Sequence, residues 1–513
     1  MSSIDFTPHV ALSPLDQIAP RIYVRSVFIF NVDRKFGINK ALCHIADRFH
    51  ASLLRWPFLT GQVRPATYSI RPNELELDYD LDENRADPSQ RPDLFTYQFC
   101  DRLGGSAYEK LKARGMPPSV MEKDILSLSP NHPKPGESCP PITLKVTRVN
   151  NGGLILCFST HHAIFDGGFI KAFLEFFAKG SEKTPGHTFV REHMSKSPLG
   201  SHSSSQHAYA DNASLGRPNM DHYARTNITN SVFPEYDFTA DTDLASDMNR
   251  LGLSSTTTMA RTQKAPPAVC VLFKIQNSTL RMLHGLALTE LRNKHGPDAF
   301  VSMVDTLSAL IWVHTTRARL PHLDLTDKTC FTTAADARIR LSPAFSADSW
   351  GNVYTQTSAS TSVRDLVQAW SGMNMDSTPA VVAAAWRIRN AVSQVNTPSY
   401  IPSRIALAAS LADPTMESAA FRRALQPDHA GLGCSVWTHM GADVDFGIPG
   451  TNGKADYIRK TWSANDGSMN IMQRRGITKG EAPWEVLLAL RDDDMERICA
   501  PAELGRWASS WCV

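Results

Sequence analysis

A histidine pair followed by an aspartate and a glycine is the part of the sequence best suited to chemistry. The stretch His161–Gly167 reads His-His-Ala-Ile-Phe-Asp-Gly. Histidine has an ordinary pKa of about 6.5, so at neutral pH its imidazole can take the proton from a hydroxyl or amine that attacks a thioester. A positioned general base typically contributes roughly a 10²–10⁴-fold gain in rate. We therefore predict that His162 is the general base of an acyl transfer reaction.

Asp166 could serve this histidine in two ways. Its carboxylate could orient the imidazole as in a catalytic triad, or it could turn away and fasten the loop to an arginine. The residue pattern leaves both roles open. Gly167 and Gly168 would allow a tight turn into the element that follows.

Three other interpretations of the histidine pair compete with catalysis. Two histidines at the end of a strand can be a hydrogen-bonded core feature. A metal site needs two neighbouring ligands on one helix face and a third donor, whereas this stretch lies before the predicted helix. A serine or cysteine nucleophile would need its own elbow, and the chain contains no Gly-x-Ser-x-Gly sequence. Direct, base-assisted transfer without a metal is the simplest mechanism that these residues predict.

The motif must be positioned by the elements on either side of it. Residues 143–149 and 154–160 have the composition of two strands, and the turn 150–153 between them predicts a hairpin. After the motif, Phe169, Phe173 and Phe177 recur on one helical face. The histidine pair is therefore predicted to lie in a loop between a buried strand and a helix.

Other segments predict an α/β protein with two domains. Residues 21–30 and 268–275 have the composition of strands, and residues 38–54, 278–293 and 304–319 have helical spacing of apolar side chains. A chain of 513 residues is too long for one compact core. Polar stretches rich in Ser, His and Asn place a crossover linker at 196–267, between an N-terminal domain (1–195) and a C-terminal domain (268–513).

Composition excludes several classes of protein. Lys plus Arg (53) nearly balance Asp plus Glu (51), which gives no electrostatic basis for binding nucleic acid. No apolar run approaches the roughly 20 residues of a membrane span, and the N-terminus does not resemble a signal peptide. The nine cysteines are scattered without a Cys-x-x-Cys pair. These features predict a cytoplasmic enzyme that acts on small molecules.

Two motifs together resemble those of a known family. The stretch His161–Gly167 resembles the HHxxxDG motif of BAHD acyltransferases and of the wider chloramphenicol acetyltransferase-like superfamily, and Asp443–Gly447 resembles the second BAHD motif, DFGWG. Further BAHD-like segments lie between and around them, including Leu12–Asp16, Trp350–Asn352 and Trp484–Leu488. The resemblance spans nearly the whole chain and is closest to fungal secondary-metabolite members.

This resemblance implies a fold, a donor and a set of site residues. The implied fold is a monomer of two chloramphenicol acetyltransferase-like α/β domains, with mixed β-sheets flanked by helices and an interdomain channel. No cofactor would be held permanently, and acyl-CoA, most simply acetyl-CoA, would be a co-substrate. His162 would be the base and Asp166 a structural residue, while Ser302 and Asn352 would contact or approach CoA.

The second motif departs from the family pattern. Ile448-Pro449-Gly450 stands where the family has Trp-Gly after DFG, so the indole donor is absent. Asp445, Phe446 and Gly447 then predict a tight turn with an architectural role. The resemblance also implies that Asp445 pairs with an arginine, for which the candidates are Arg317, Arg338 and Arg340.

The predicted function is transfer of an acyl group, most simply acetyl, from CoA to a hydroxyl of a small secondary metabolite in a ternary complex. Two alternatives stay open. One is transfer from a phosphopantetheine carrier protein, as in condensation domains, and the other is a binding protein that retains only the fold.

Overall fold

A computed structural model of the chain describes residues 9–33, 35, 38–80, 83–180, 220–225, 233–238, 267–368, 377–425, 430–474 and 481–512. The strands are β1 (His9–Ala11), β2 (Tyr23–Asn31), β3 (Gln62–Pro65), β4 (Leu75–Asp78), β5 (Phe95–Cys100), β6 (Ile142–Val149), β7 (Gly153–His161), β8 (Ala268–Ile275), β9 (Lys328–Asp336), β10 (Tyr354–Ser362), β11 (Leu432–Val436), β12 (Tyr457–Lys460), β13 (Ser468–Ile471), β14 (Trp484–Arg491) and β15 (Ser510–Cys512). The helices are α1 (Pro14–Ile18), α2 (Ile38–Arg55), α3 (Tyr108–Ala113), α4 (Lys123–Leu126), α5 (Gly167–Lys179), α6 (Asp221–Ala224), α7 (Asn277–His295), α8 (Met303–Ala318), α9 (Val363–Gln368), α10 (Thr378–Gln394), α11 (Tyr400–Ser410), α12 (Met416–Leu425) and α13 (Asp492–Ile498).

The strands form three sheets, and the two larger ones are mixed. The five-stranded sheet has the order β12-β2-β7-β6-β5, with β5 and β6 parallel and the other pairs antiparallel. The seven-stranded sheet has the order β10-β9-β11-β13-β14-β8-β15, in which β11 runs parallel to both of its neighbours. A small sheet, β1-β4-β3, completes the set. Helices pack against the two larger sheets, so the predicted α/β class with mixed sheets is confirmed.

The strand that carries the motif is buried from end to end. All nine residues of β7 are buried, as expected for a central strand covered on both faces. Helix α5 packs an aromatic stripe against this sheet, with Phe173 and Phe177 at 5.9 and 5.1 Å from Phe158, measured between ring centroids. Trp56, at the end of α2, contacts the same stripe. The motif loop therefore begins at the end of a firmly packed strand.

The predicted elements agree closely with the observed ones. The hairpin forms between β6 and β7, and its turn places Asn151 and Gly152 at positive φ (72° and 100°), the region that asparagine and glycine tolerate best. The predicted strand at 268–275 is observed with the same limits. The helices predicted at 38–54, 278–293 and 304–319 differ by at most two residues at either end.

Strand β12 adds a late segment of the chain to the sheet that holds the motif. Tyr457–Lys460 pairs antiparallel with β2, at the edge of the five-stranded sheet. The predicted domain limits (1–195 and 268–513) stay a prediction. Most of the predicted crossover, 196–267, lies outside the described residues, of which it includes only 220–225, 233–238 and 267.

Candidate active site

The backbone of His162 is held from two sides. Its N–H donates to the carbonyl oxygen of Ile22 at 2.9 Å, just before β2. Its carbonyl oxygen accepts a hydrogen bond from Nδ2 of Asn352 at 2.8 Å. Residues from both halves of the chain thus fix the position from which the imidazole projects.

The imidazole of His162 is half-buried and lies beside Tyr354, with ring centroids 5.8 Å apart. Burial lowers the pKa of this histidine below its ordinary value, whereas its own backbone, the negative charge of Asp166 and the amide of Asn352 oppose that shift. A lowered pKa keeps the ring neutral at pH 7. The neutral ring is the form that can accept a proton.

His161, the other member of the pair, is a buried structural residue. It is only 2% exposed, its Nδ1 accepts from the N–H of Ala163 at 3.2 Å, and its ring meets Tyr23 edge to face. Burial lowers the pKa of His161 to about 3, with smaller contributions from Arg21 and His162. The interpretation of a histidine pair as a core feature therefore describes His161.

Asp166 points away from the imidazole and fastens the loop to Arg338. Nη1 and Nη2 of Arg338 donate to its two carboxylate oxygens at 2.8 and 2.9 Å, a bidentate pair in which both side chains are at least 98% buried. The N–H groups of Phe169 and Val353 also donate to the carboxylate, each at 2.9 Å. Of the two roles left open by the sequence, Asp166 has the second, and these donors occupy the oxygens that a metal would need.

The glycines after Asp166 serve packing rather than a tight turn. Neither Gly167 nor Gly168 has a positive φ, so the predicted conformational reason for them is wrong. A Cβ atom on Gly168 would lie 2.4 Å from Nη1 of Arg338, whereas one on Gly167 would lie 3.4 Å from Sδ of Met440. Gly168 is therefore required because the guanidinium group passes directly over the first turn of α5, which Asp166 caps.

A buried aspartate near the N-terminus supports the other side of the site. Oδ1 of Asp16 accepts from the backbone N–H and from Nδ2 of Asn352 at 2.6 and 3.0 Å. Its other oxygen accepts from the N–H and hydroxyl of Ser13, which completes a capping box at α1. Asp16, Asn352 and the carbonyl of His162 thus form one continuous chain of hydrogen bonds. These contacts give Asn352 a positioning role toward His162, and its predicted contact with CoA stays a prediction.

The segment that carries Asn352 is docked by aromatic stacking. Trp350 is 1% exposed and stacks on Phe58 with ring centroids 4.4 Å apart. Phe165, inside the motif loop, forms a parallel β-bridge with Gly351. These contacts fix the distance between the motif loop and the start of β10.

The second motif forms a tight turn whose phenylalanine is its buried member. Phe446 is fully buried and lies 5.3 and 5.4 Å from Phe28 and Phe30, measured between ring centroids. Its carbonyl oxygen accepts from Nε2 of His44 at 2.8 Å. Gly447 follows at φ +57°, the left-handed conformation that favours glycine. The geometry agrees with the architectural role predicted for this turn.

The predicted pairing of Asp445 with an arginine is wrong. Asp445 is exposed and accepts a hydrogen bond from the N–H of Gly447 at 2.9 Å, inside its own turn. The candidate arginines bind other groups: Arg317 binds Glu503, Arg338 binds Asp166, and Arg340 binds Asn396. The aspartate that pairs with an arginine at this site is therefore Asp166, in the first motif.

Ser302 is the N-cap of α8. Its hydroxyl accepts from the N–H of Asp305 at 3.1 Å, and the carboxylate of Asp305 accepts from the N–H of Ser302 at 2.6 Å. Arg389 pairs with the same carboxylate. Within the described ranges, the hydrogen bonds of Ser302 stay in the first turn of α8, and none of them reaches His162, Asp166 or Asn352. Its predicted role toward CoA stays a prediction.

Sequence reasoning missed the contacts that Asp16, Arg338 and Tyr354 make at this site. The Ser-x-x-Asp spacing at Ser13 and Asp16 could have indicated a capping box. The sequence gives Arg338 as a candidate partner of Asp445, whereas in the structure it pairs with Asp166. No local pattern marks Tyr354, because its position beside His162 depends on how β10 meets the motif loop.

The chain is similar in sequence to a family of transferases and to fungal acyltransferases. A model of the Transferase family matches residues 114–504. Acyltransferase easC of Emericella nidulans is 27% identical over 349 residues, which cover 68% of this chain and 66% of that protein. Trichothecene 8-O-acetyltransferase of Fusarium sporotrichioides is 23% identical over an alignment that covers 97% of each.

Solved structures share the same fold. F. graminearum TRI101, complexed with coenzyme A and T-2 mycotoxin, aligns with a TM-score of 0.72 at 18% identity, covering 98% of this chain and 99% of that one. Vinorine synthase aligns with a TM-score of 0.56 at 15% identity, covering 99% and 95% respectively. No helix in the described ranges is long and apolar enough to cross a membrane.

Proposed function

The chain belongs to the Transferase family, the BAHD-type acyltransferases, and from that premise we propose that it transfers an acetyl group from acetyl-CoA to a hydroxyl of a small secondary metabolite. The observation that carries the proposal is a half-buried imidazole held at the end of a rigid strand by contacts from both halves of the chain. The named relatives are acyltransferases, and one is an acetyltransferase.

In the proposed reaction His162 acts on the acceptor. Nδ1 of His162 is buried, which leaves Nε2 as the nitrogen that an acceptor hydroxyl can reach. Nε2 takes the hydroxyl proton as the oxygen forms a bond to the thioester carbonyl carbon. The tetrahedral intermediate then collapses, the carbon–sulfur bond breaks, and the CoA thiolate recovers the proton from the imidazolium.

Asp166 and Asn352 position the base in this mechanism. The carboxylate of Asp166 is occupied by Arg338 and two backbone N–H groups, so its part is to hold the loop and to favour the transient imidazolium by charge. Asn352 holds the carbonyl of His162. Neither residue touches the reacting atoms in this proposal.

The relatives suggest the chemical class of the acceptor. The curated relative that aligns over 97% of this chain is a trichothecene O-acetyltransferase, and TRI101 structures contain coenzyme A with T-2 mycotoxin or deoxynivalenol. We therefore propose that the acceptor is a trichothecene-like small metabolite with a free hydroxyl.

Replacement of His162 by alanine tests the proposal. With acetyl-CoA and a panel of such alcohols, His162→Ala should lower kcat/KM roughly 10²–10⁴-fold, measured as release of free CoA thiol. His161→Asn, which keeps an acceptor for the N–H of Ala163, is the matched control and should retain most activity. If His162→Ala matched the wild type, or only a carrier-bound acyl group were transferred, the proposal would be wrong.

A further inference from the structure

Tyr354 borders both the candidate base and a small cavity whose wall combines polar groups with the apolar side chains of Leu15 and Ile18. Its ring lies 5.8 Å from that of His162, between centroids, and the same residue lines a cavity of about 20 Å³. Tyr236 and Glu417 form other parts of the wall. A cavity of this volume holds about one water-sized group.

The wall carries groups that can bind a neutral hydroxyl. Glu417 is 8% exposed, and burial raises its pKa to about 7, an effect that the hydroxyl of Tyr236 opposes and the charge of Glu235 supports. At neutral pH its carboxyl can thus either accept or donate a hydrogen bond. Burial and neighbouring acids also raise the pKa of Tyr354, so its phenol stays a donor.

The positive charge beside the cavity is already neutralised. Nε and Nη2 of Arg404 donate to the two oxygens of Glu235 at 2.7 and 3.0 Å, and both side chains are at least 98% buried. The guanidinium carbon also lies 3.4 Å from the ring centroid of Tyr400. Among the described residues that line the cavity, the cation is Arg404, and Glu235 balances its charge, so the wall does not favour an anionic group.

The wall is fixed by a piece of the predicted crossover. The segment 233–238 contributes Tyr236 and is held on α12, where the N–H of Asp237 donates to the carbonyl of Ala420 at 3.0 Å. Arg423 donates back to the carbonyl of Asp237 at 2.9 Å. Because three distant parts of the chain meet here, the cavity is a built feature next to the site.

We propose that this cavity is a subsite that binds a second hydroxyl of the acceptor, while the hydroxyl to be acetylated lies at His162. The proposal rests on the proposed function, because it requires the acceptor to bind between His162, the proposed base, and the cavity beside Tyr354. It specifies the acceptor as a diol or polyol, in which Glu417 and the hydroxyls of Tyr236 and Tyr354 select the second hydroxyl.

Binding of matched alcohols tests the subsite without requiring turnover. Cyclohexanol and the isomeric cyclohexanediols are titrated against the full chain in the presence of CoA, and binding is followed by saturation-transfer NMR. The best diol should bind roughly tenfold more tightly than cyclohexanol, as one additional hydrogen bond predicts. In Glu417→Leu and Tyr236→Phe this preference should fall to about twofold or less, with cyclohexanol binding unchanged.

Control variants separate this proposal from the proposed function. Glu503→Gln replaces another half-buried carboxylate, paired with Arg317, and should keep the diol preference. His162→Ala should also keep it while losing release of CoA from acetyl-CoA. Equal binding of diol and cyclohexanol by the wild type would overturn the subsite. A diol preference that survives in both Glu417→Leu and Tyr236→Phe, with both variants folded, would also overturn it. Absence of His162-dependent CoA release would instead overturn the proposed function.

Discussion

The two motif loops share one protein but are stabilised in opposite ways. The first, His161–Gly167, is enclosed by buried polar contacts: Asp166 binds Arg338, and Asn352 binds the backbone of His162. In the second, Asp443–Gly447, the aspartate Asp445 is exposed and bonded within its own turn, and the buried contact is the apolar side chain of Phe446. The first loop is held mainly by buried hydrogen bonds and charge, and the second mainly by apolar packing, with one hydrogen bond from His44 to the carbonyl of Phe446.

This difference separates reaction geometry from architecture. A bidentate ion pair fixes direction as well as distance, which suits a loop that must aim an imidazole. Burial of a phenylalanine contributes mainly through the hydrophobic effect, which is not directional. The second motif keeps its buried phenylalanine although it lacks the family tryptophan, which agrees with the architectural role predicted for that turn.

The largest expected effect comes from removing Arg338. Arg338→Ala leaves the carboxylate of Asp166 buried without its counter-ion, which should lower the free energy of unfolding by about 3–5 kcal/mol. The measurement is urea-induced unfolding followed by tryptophan fluorescence. Arg340→Ala, two residues away with exposed contacts, is the control and should change stability by about 0.5 kcal/mol or less. Equal effects of the two changes would contradict the importance given to the buried pair.

Phe446→Ala probes the apolar loop. Loss of a fully buried phenylalanine should lower the free energy of unfolding by about 3–5 kcal/mol through lost burial and a residual cavity. The measurement is the same unfolding transition, together with kcat/KM at a temperature where the variant is folded. Activity per folded molecule should change far less than in His162→Ala. A selective loss of kcat in folded protein would instead assign the second motif to the chemistry.

Acid should weaken the first loop through the buried histidine His161. The folded-state pKa of His161 is lowered to about 3, so above that pH the folded protein binds fewer protons than the unfolded chain. Stability is therefore lost as the pH falls below the unfolded value of about 6.5 and continues to fall toward 3. Between pH 7 and 5.5 this histidine should account for about 1 kcal/mol. The comparison is the unfolding free energy of wild type and His161→Asn across that range, and parallel curves would argue against the assignment.

Asp445→Asn should have the smallest effect. Asparagine keeps an oxygen that can accept from the N–H of Gly447, and the side chain is exposed, so stability should change by about 0.5 kcal/mol or less. Thermal unfolding and kcat/KM measure this directly. A large loss would show that Asp445 has a partner role beyond its own turn.

Local patterns were sufficient to predict the elements around the first motif, but not the contacts between distant parts of the chain. Periodicity placed β7, α5 and their loop, since apolar spacing and glycine-rich turns act over a few residues. The pairing of Asp166 with Arg338 joins positions 172 residues apart, and that of Asn352 with Asp16 joins positions 336 apart. The sequence offered three candidate arginines for Asp445. In the structure one of them, Arg338, pairs with Asp166 instead. Only a resemblance to a family connected such distant residues, and it connected Asp445 wrongly.

Strand β12 has a consequence for how the molecule can be made. The N–H of Asn31 in β2 donates to the carboxylate of Asp456, which lies 425 positions later, and β2 then pairs with Tyr457–Lys460. During synthesis on the ribosome, the edge of β2 in the sheet that precedes His162 stays unpaired until nearly the whole chain has been made. A separately expressed N-terminal half would present that edge to other copies of itself. Cutting the chain at the predicted crossover should therefore yield aggregation rather than two independent domains.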